Sequence, residues 1–135
     1  MYEFEVIGNI VGKQRPRVNT YTGNVYTPNN TKDYEEYIRQ CFFLKYNKSE
    51  MLLNRVNIEI TAYFKIPTNT KKADKEKMLN EEISPTKKPD IDNIAKIVLD
   101  SINKYVIKDD SQVTKISVEK KYAQESKLHI KIEEY

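Results

Sequence analysis

Lys88-Pro89-Asp90-Ile91-Asp92-Asn93-Ile94-Ala95-Lys96 is the stretch on which the reading of this 135-residue chain turns. Asp92, Lys96, Asp100 and Asn103 follow at i, i+4, i+8 and i+11, so on a helix they form one polar stripe. Ile91, Ile94, Ala95, Val98, Leu99 and Ile102 take the other side and read as its buried face. Pro89 biases Lys88 towards an extended conformation, and Asp90 or Asp92 is placed to cap the new helix. Carboxylates therefore gather where a loop turns into a helix, and Asp109-Asp110 follows at its far end. Two carboxylates about 5 Å apart repel by about 3 kcal/mol at an effective dielectric near 20. Such a cluster calls for a cation, a proton or separation in water. With oxygen donors alone and no Cys or His nearby, the cation expected is Mg2+ or Mn2+ before zinc. The plainer alternative makes Asp90 an N-cap, Asp92 a partner of the helix dipole and Asp109-Asp110 a turn before a strand.

Outside this stretch the composition sets bounds. The length suits a single domain over residues 1–135, large enough for helices packed on a sheet. Lysine and arginine total 23 against 20 acids, a net charge of +3, so distribution and not total charge must carry any case for nucleic acid. The one cysteine, Cys41, excludes an intramolecular disulfide framework and suits a reducing cytoplasm. No signal-like or membrane-spanning run is visible, so a soluble cytoplasmic protein with no membrane partner is expected.

Tyr2 to Ile10 begins with Tyr2, Phe4 and Val6 alternating against Glu3 and Glu5, a half-buried strand. Periodicity then stops from Gly12 to Asn30, which reads as a long loop or as a hairpin through Thr22-Gly23-Asn24. Lys13, Arg15 and Arg17 cluster there with Tyr21 and Tyr26, a mixture suited to phosphates and exposed bases or to a solvated arm. Asn30 or Thr31 is expected to cap a helix to about Tyr46, with Asp33, Glu35 and Glu36 in its first turn. Cys41 falls on its apolar stripe, a core position. Val56 to Ile66 alternates cleanly as a strand ended by Pro67, and 70–80 reads as a charged, solvent-facing helix. Lys87 and Lys88 lie in the loop that leads into the acidic cluster. Gln112 to Tyr122 and Leu128 to Glu133 read as two final strands, paired as an antiparallel hairpin, with His129 on the polar side. The expected class is α/β (α+β), with helices packed on a small mixed β-sheet of about four strands.

Three stretches together carry a resemblance: Gly12-Lys13-Gln14-Arg15-Pro16-Arg17, then Lys88 to Lys96, then Asp109-Asp110-Ser111-Gln112-Val113. In this order, over nearly the whole chain, the sequence resembles the RusA family of Holliday junction resolvases. Ile66-Pro67 before a lysine-rich helix, and Lys120 in the penultimate strand, fit the longer form of that family. The resemblance implies a Mg2+-dependent homodimeric endonuclease that nicks four-way DNA junctions symmetrically in recombination and repair, of a kind often found in phages and prophages. No small-molecule cofactor is implied. By motif, the essential carboxylates become Asp90, Asp92 and Asp110, which would hold the metal, and the catalytic lysine becomes Lys96. The interval before Asp109-Asp110 is one residue shorter than in the familiar form, so both acids stay open for that place. Lys13, Arg15, Arg17, Lys87, Lys88 and Lys120 are the expected DNA contacts.

Two rivals are a PD-(D/E)xK nuclease, using Pro89-Asp90 and Glu119-Lys120-Lys121, and a branched-DNA binding module without catalysis. The first wants both its pieces on neighbouring strands, whereas Asp90 leads directly into a helical pattern. An EF-hand loop fails because Ala95 stands where the turn needs Gly.

Overall fold

The computed structural model describes residues 1–14, 17–26 and 29–135, and of Arg17 and Tyr26 the backbone alone. Strand β1 (Tyr2–Ile7) leads to a short ribbon of β2 (Arg17–Val18) and β3 (Val25–Tyr26). Helix α1 (Asn29–Lys45), strand β4 (Val56–Lys65) and helices α2 (Lys72–Leu79) and α3 (Ile91–Ile102) follow. A 3-10 turn (Asp110–Gln112) then enters β5 (Val113–Ala123), and β6 (Lys127–Glu134) closes the chain.

The main sheet has four strands in the order β1-β6-β4-β5, and the mixed α+β architecture expected from the pattern is present. β6 runs antiparallel to both β1 and β4, while β4 and β5 are parallel. One expectation fails. β5 and β6 do not pair as a hairpin, because β4 lies between them. The 124–126 connection arches over the end of β4, where the Lys65 N–H donates to Ser126 Oγ at 3.0 Å and the Ile66 N–H to the Ala123 carbonyl at 3.0 Å. Two strand spacings come to about 9.6 Å, within reach of so short a segment. The winner is β4, whose buried Val56, Ile58, Ile60, Ala62 and Phe64 need cover from neighbours on both edges.

α1 and α3 pack on one face of the sheet, and the core lies between. Ile38 and Phe42 of α1 meet Phe4 and Val6 of β1, while α3 contributes Ile94, Ile97, Val98 and Ile102. Each such side chain, fully buried, adds about 1.5–3 kcal/mol to the apolar driving force. The buried face of α3 is turned slightly from the expected one. Ile97 and Ser101 are inside, and Ile91, in the first turn, is half exposed. α1 begins two turn-forming asparagines early, at Asn29, so its acids fall beyond the first turn and do not complement the dipole there. α2 buries nothing, as its charge pattern predicts. The other sheet face is open and polar, with Lys127 on Glu5 at 2.9 Å and His129 3.4 Å from Glu3.

The loop between β1 and α1 does contain the hairpin. Asn19 and Asn24 close it, Asn19 Oδ1 accepts from the N–H groups of Tyr21 and Thr22, and Gly23 takes φ +73°.

Candidate active site at the start of α3

Asp90 is the N-cap residue of α3 by backbone conformation, with φ −69° and ψ 156°, yet its side chain makes no capping hydrogen bond. The plainer alternative for this residue therefore lacks the bond that would define it. Asp92 is exposed in the first turn of the helix, where the plainer alternative also puts it, and among the described residues neither carboxylate is in an ion pair. Both line an open cavity of about 770 Å3 together with Lys88 and the strap of residues 10–14. The uncapped first turn of α3 brings its positive dipole end to this cavity as well.

The strap is fixed tightly to the helix. The Lys13 N–H donates to the Asn93 carbonyl at 3.0 Å. A Cβ on Gly12 would sit 2.5 Å from Pro89 Cβ and 3.1 Å from Asn93 Cβ, so this close approach requires glycine. The Lys13 ammonium reaches Glu35 Oε1 of α1 at 2.6 Å and Asp100 Oδ2 of α3 at 3.1 Å. Its side chain is only 14% exposed; burial alone would lower its pKa, but the two carboxylates outweigh that and raise it above the usual lysine range. Lys13, expected to meet phosphate, is thus engaged in joining strap, α1 and α3.

Gln14 follows in the cavity wall with Oε1 buried and without a donor among the described residues. Sequence reasoning missed both Gly12 and Gln14 as site residues, although they flank the lysine it singled out. A glycine pressed on a proline leaves no periodic signal.

Lys96 is exposed one helical turn beyond Asp92, on the same polar stripe. Lys87 and Lys120 converge over the Phe64 ring, at 5.7 and 5.3 Å from its centroid, and Lys120 Nζ also donates to the Lys87 carbonyl. Arg15 lies outside the described residues, as does the side chain of Arg17.

Asp109 and Asp110 part company. Asp109 accepts from the Ser111 N–H at 3.1 Å and from Lys104 Nζ at 2.9 Å, and its own N–H donates to Gln112 Oε1 at 2.7 Å, a complete capping box. Those hydrogen bonds, first from Ser111 and then from Lys104, hold its carboxyl far below the usual range. Asp110 instead donates its N–H to Asn103 Oδ1 at 3.0 Å and leaves its exposed carboxylate without a described partner. Asn103 is the C-cap of α3, so Asp110 stands at the opposite end of that helix from Asp90 and Asp92. The rise from Asp92 to Asn103 is about 16 Å. Accordingly, no three metal-binding side chains among the described residues are grouped closely enough to hold one ion. Asp90 and Asp92 line the same cavity as Gln14, and two carboxylates with a neutral amide oxygen are the donor chemistry that suits Mg2+, an ion that keeps several waters and takes one or two carboxylates.

Comparison with known proteins agrees with the motif reading. The family model described as Endodeoxyribonuclease RusA matches residues 8–133. A Bacillus subtilis (strain 168) protein, YqaN, described as uncharacterized, is 30% identical over 136 aligned residues, which cover 98% of this chain and 95% of that protein.

Proposed function

The chain belongs to the RusA family of endodeoxyribonucleases, and from that premise we propose that it is a Mg2+-dependent resolvase of four-way DNA junctions, acting as a homodimer through paired symmetric nicks. The observation that carries this reading is the pair Asp90 and Asp92 at an open cavity beside Lys88, with no side-chain cap bond from Asp90 and no ion pair to either acid among the described residues. Phosphodiester hydrolysis needs a water aligned with the leaving oxygen and relief of charge on the transition state. A bound Mg2+ supplies both by lowering the pKa of its water and neutralising phosphate oxygens.

The chain's own groups divide the remaining work. Asp90 and Asp92 gather the ion. The uncapped start of α3 favours an anion at the same place, which suits the scissile phosphate. Lys96, one turn along the helix, is the ammonium that pairs with a phosphate oxygen. Lys87, Lys88 and Lys120 offer charge to the DNA backbone at the cavity mouth. Lys13, through Glu35 and Asp100, keeps the strap and Gln14 in the cavity wall. Asp110 completes the acidic set from a second copy. Two chains related by a two-fold axis, with their α3 helices antiparallel, bring the partner's Asp110 towards Asp90 and Asp92 and create two equivalent sites for a nearly two-fold-symmetric junction. A role in DNA recombination or repair follows from such a substrate, and the family resemblance suggests a phage or prophage setting.

The test is strand-by-strand cleavage of a synthetic four-way junction with Mg2+ and with EDTA, beside a linear duplex. Paired, Mg2+-dependent nicks are expected on the junction alone. Asp90→Asn and Asp92→Asn should lose cleavage while still binding the junction. Full cleavage by both variants would remove the assigned site, and binding without cutting under any divalent ion would leave a junction-recognition module.

A further inference from the structure

The two edges of the main sheet are treated differently. At β1 the outward backbone is closed by α1. Tyr46 Oη accepts the Glu3 N–H and donates to the Glu3 carbonyl, both at 3.1 Å, and Lys45 reaches that carbonyl at 2.6 Å. Tyr37 Oη donates to the Ile7 carbonyl at 2.7 Å. At β5 no such cover exists among the described residues over 114–119. The chain passing from α2 to α3 reaches this edge only further along, where Glu81 pairs with Lys121 at 2.6 Å and the Lys87 carbonyl meets Lys120. A bare edge of this kind is a template for another strand. Ile116 adds to it, 42% exposed although it lies on the core face beside Ile58.

We infer that a second copy of this chain pairs antiparallel along β5, in the register centred on Ser117. This rests on the two-chain site proposed above and names the surface that builds it. A two-fold axis normal to the sheet pairs only residues of one face, so few registers are open. Centred on Ser117, Lys115 stands opposite the partner's Glu119 and Ile116 opposite the partner's Val118, each twice. Lys115 and Glu119 share the open face, beside Asn57 and Thr61 of β4, and Ile116 and Val118 share the core face. Centred on Val118, Lys115 would oppose the partner's Lys121 and Ile116 the partner's Lys120. Centred on Ile116, Lys115 would oppose the partner's Ser117, and neither the Lys115–Glu119 nor the Ile116–Val118 pair would form. Opposite charges and apolar pairs directly across strands favour the first register, and like charges penalise the second.

The same register bears on the site. α3 runs against β5, since its end at Asn103 meets Asp110, just before Val113, and its start follows Lys87, which meets Lys120. The ladder runs the start of one β5 towards the end of the other, so the partner's Asp110, just before its β5, comes to the side where Lys120, Lys87 and the start of α3 lie. Both α3 helices then cover one face of a continuous eight-stranded sheet, antiparallel across the axis.

The test uses the full chain. Wild type should run in light scattering at twice the 15.9 kDa chain mass. Lys115→Glu or Glu119→Lys alone should weaken the dimer about tenfold, since each sets two like-charge pairs across the axis, and the double exchange should restore it. In a Cys41→Ala background, Ser117→Cys should form an interchain disulfide under mild oxidation, whereas Lys115→Cys, displaced from its own copy along the ladder, should not. A dimer indifferent to both charge reversals, with no disulfide at position 117, would overturn the inference. Junction cleavage by that same dimer would leave the resolvase reading standing. Cross-linking at 117 in a protein that cuts no junction would uphold the interface and sink the resolvase reading instead.

Discussion

Asp109 and Asp110 are adjacent, chemically identical and differently employed. Asp109 caps the turn into β5 and pairs with Lys104, so its charge stabilises the fold. Asp110 holds the turn to α3 through its backbone, and its carboxylate has no partner among the described residues. Because the Asp109 carboxyl is depressed in the folded protein, its ionic contribution is complete above the unfolded value near pH 4 and fades as pH falls from there towards the folded value. Asp109→Asn keeps a capping oxygen but cannot ionise. It should therefore be less stable than wild type at pH 7, with the gap in urea midpoints closing as pH falls below about 4. Asp110→Asn should show the converse, near-native stability at pH 7 with junction cleavage lost. Equal loss of stability in the two variants would undo this division of labour.

At the scale of elements, alternation and helical spacing were enough to read every strand of the main sheet and all three helices, because each buries or exposes faces at its own period. Order across the sheet was not legible. A short polar connection between β5 and β6 looks the same whether it turns back beside its strand or arches over β4, and what decides is the demand of β4 for two partners. The acidic cluster was legible as residue types at a spacing. Which acids share a cavity depends on the length of α3, and what Lys13 touches depends on the packing of α1 against it. Lys13 reads in sequence like its neighbours, a basic residue in a loop, yet in the fold it bridges two helices. Lys13→Met strands Glu35 and Asp100 and should lower unfolding free energy by about 1–3 kcal/mol, read by urea denaturation. It should leave the salt dependence of junction binding nearly unchanged, whereas Lys88→Met should flatten that slope by about one unit. A slope change at position 13 equal to that at 88, with stability intact, would return Lys13 to the DNA surface.

For the whole molecule, the question is how many chains make one site. Asp90 and Asp92 open α3, and Asp110 follows its close. If one chain supplied all three, mixing Asp90→Asn protein with Asp110→Asn protein could never produce an intact set. If the partner supplies Asp110, the mixed dimer holds one site carrying both substitutions and one carrying neither. Equal mixing of two inactive variants, with time for subunit exchange, then leaves about half the dimers mixed, each with a single working site. The expected product is a junction nicked on one strand of the symmetric pair, at up to about a quarter of the wild-type site count, because half the dimers each carry one of two sites. Each variant alone should show no nicks under the same conditions. A mixture as inactive as its components, while exchange is verified by mixing tagged and untagged chains, would place all three acids within one chain's reach. The same mixing with Asp90→Asn and Asp92→Asn, both at the start of α3, serves as the control. There every site in the mixed dimer carries a substitution, so it should stay inactive whichever arrangement holds.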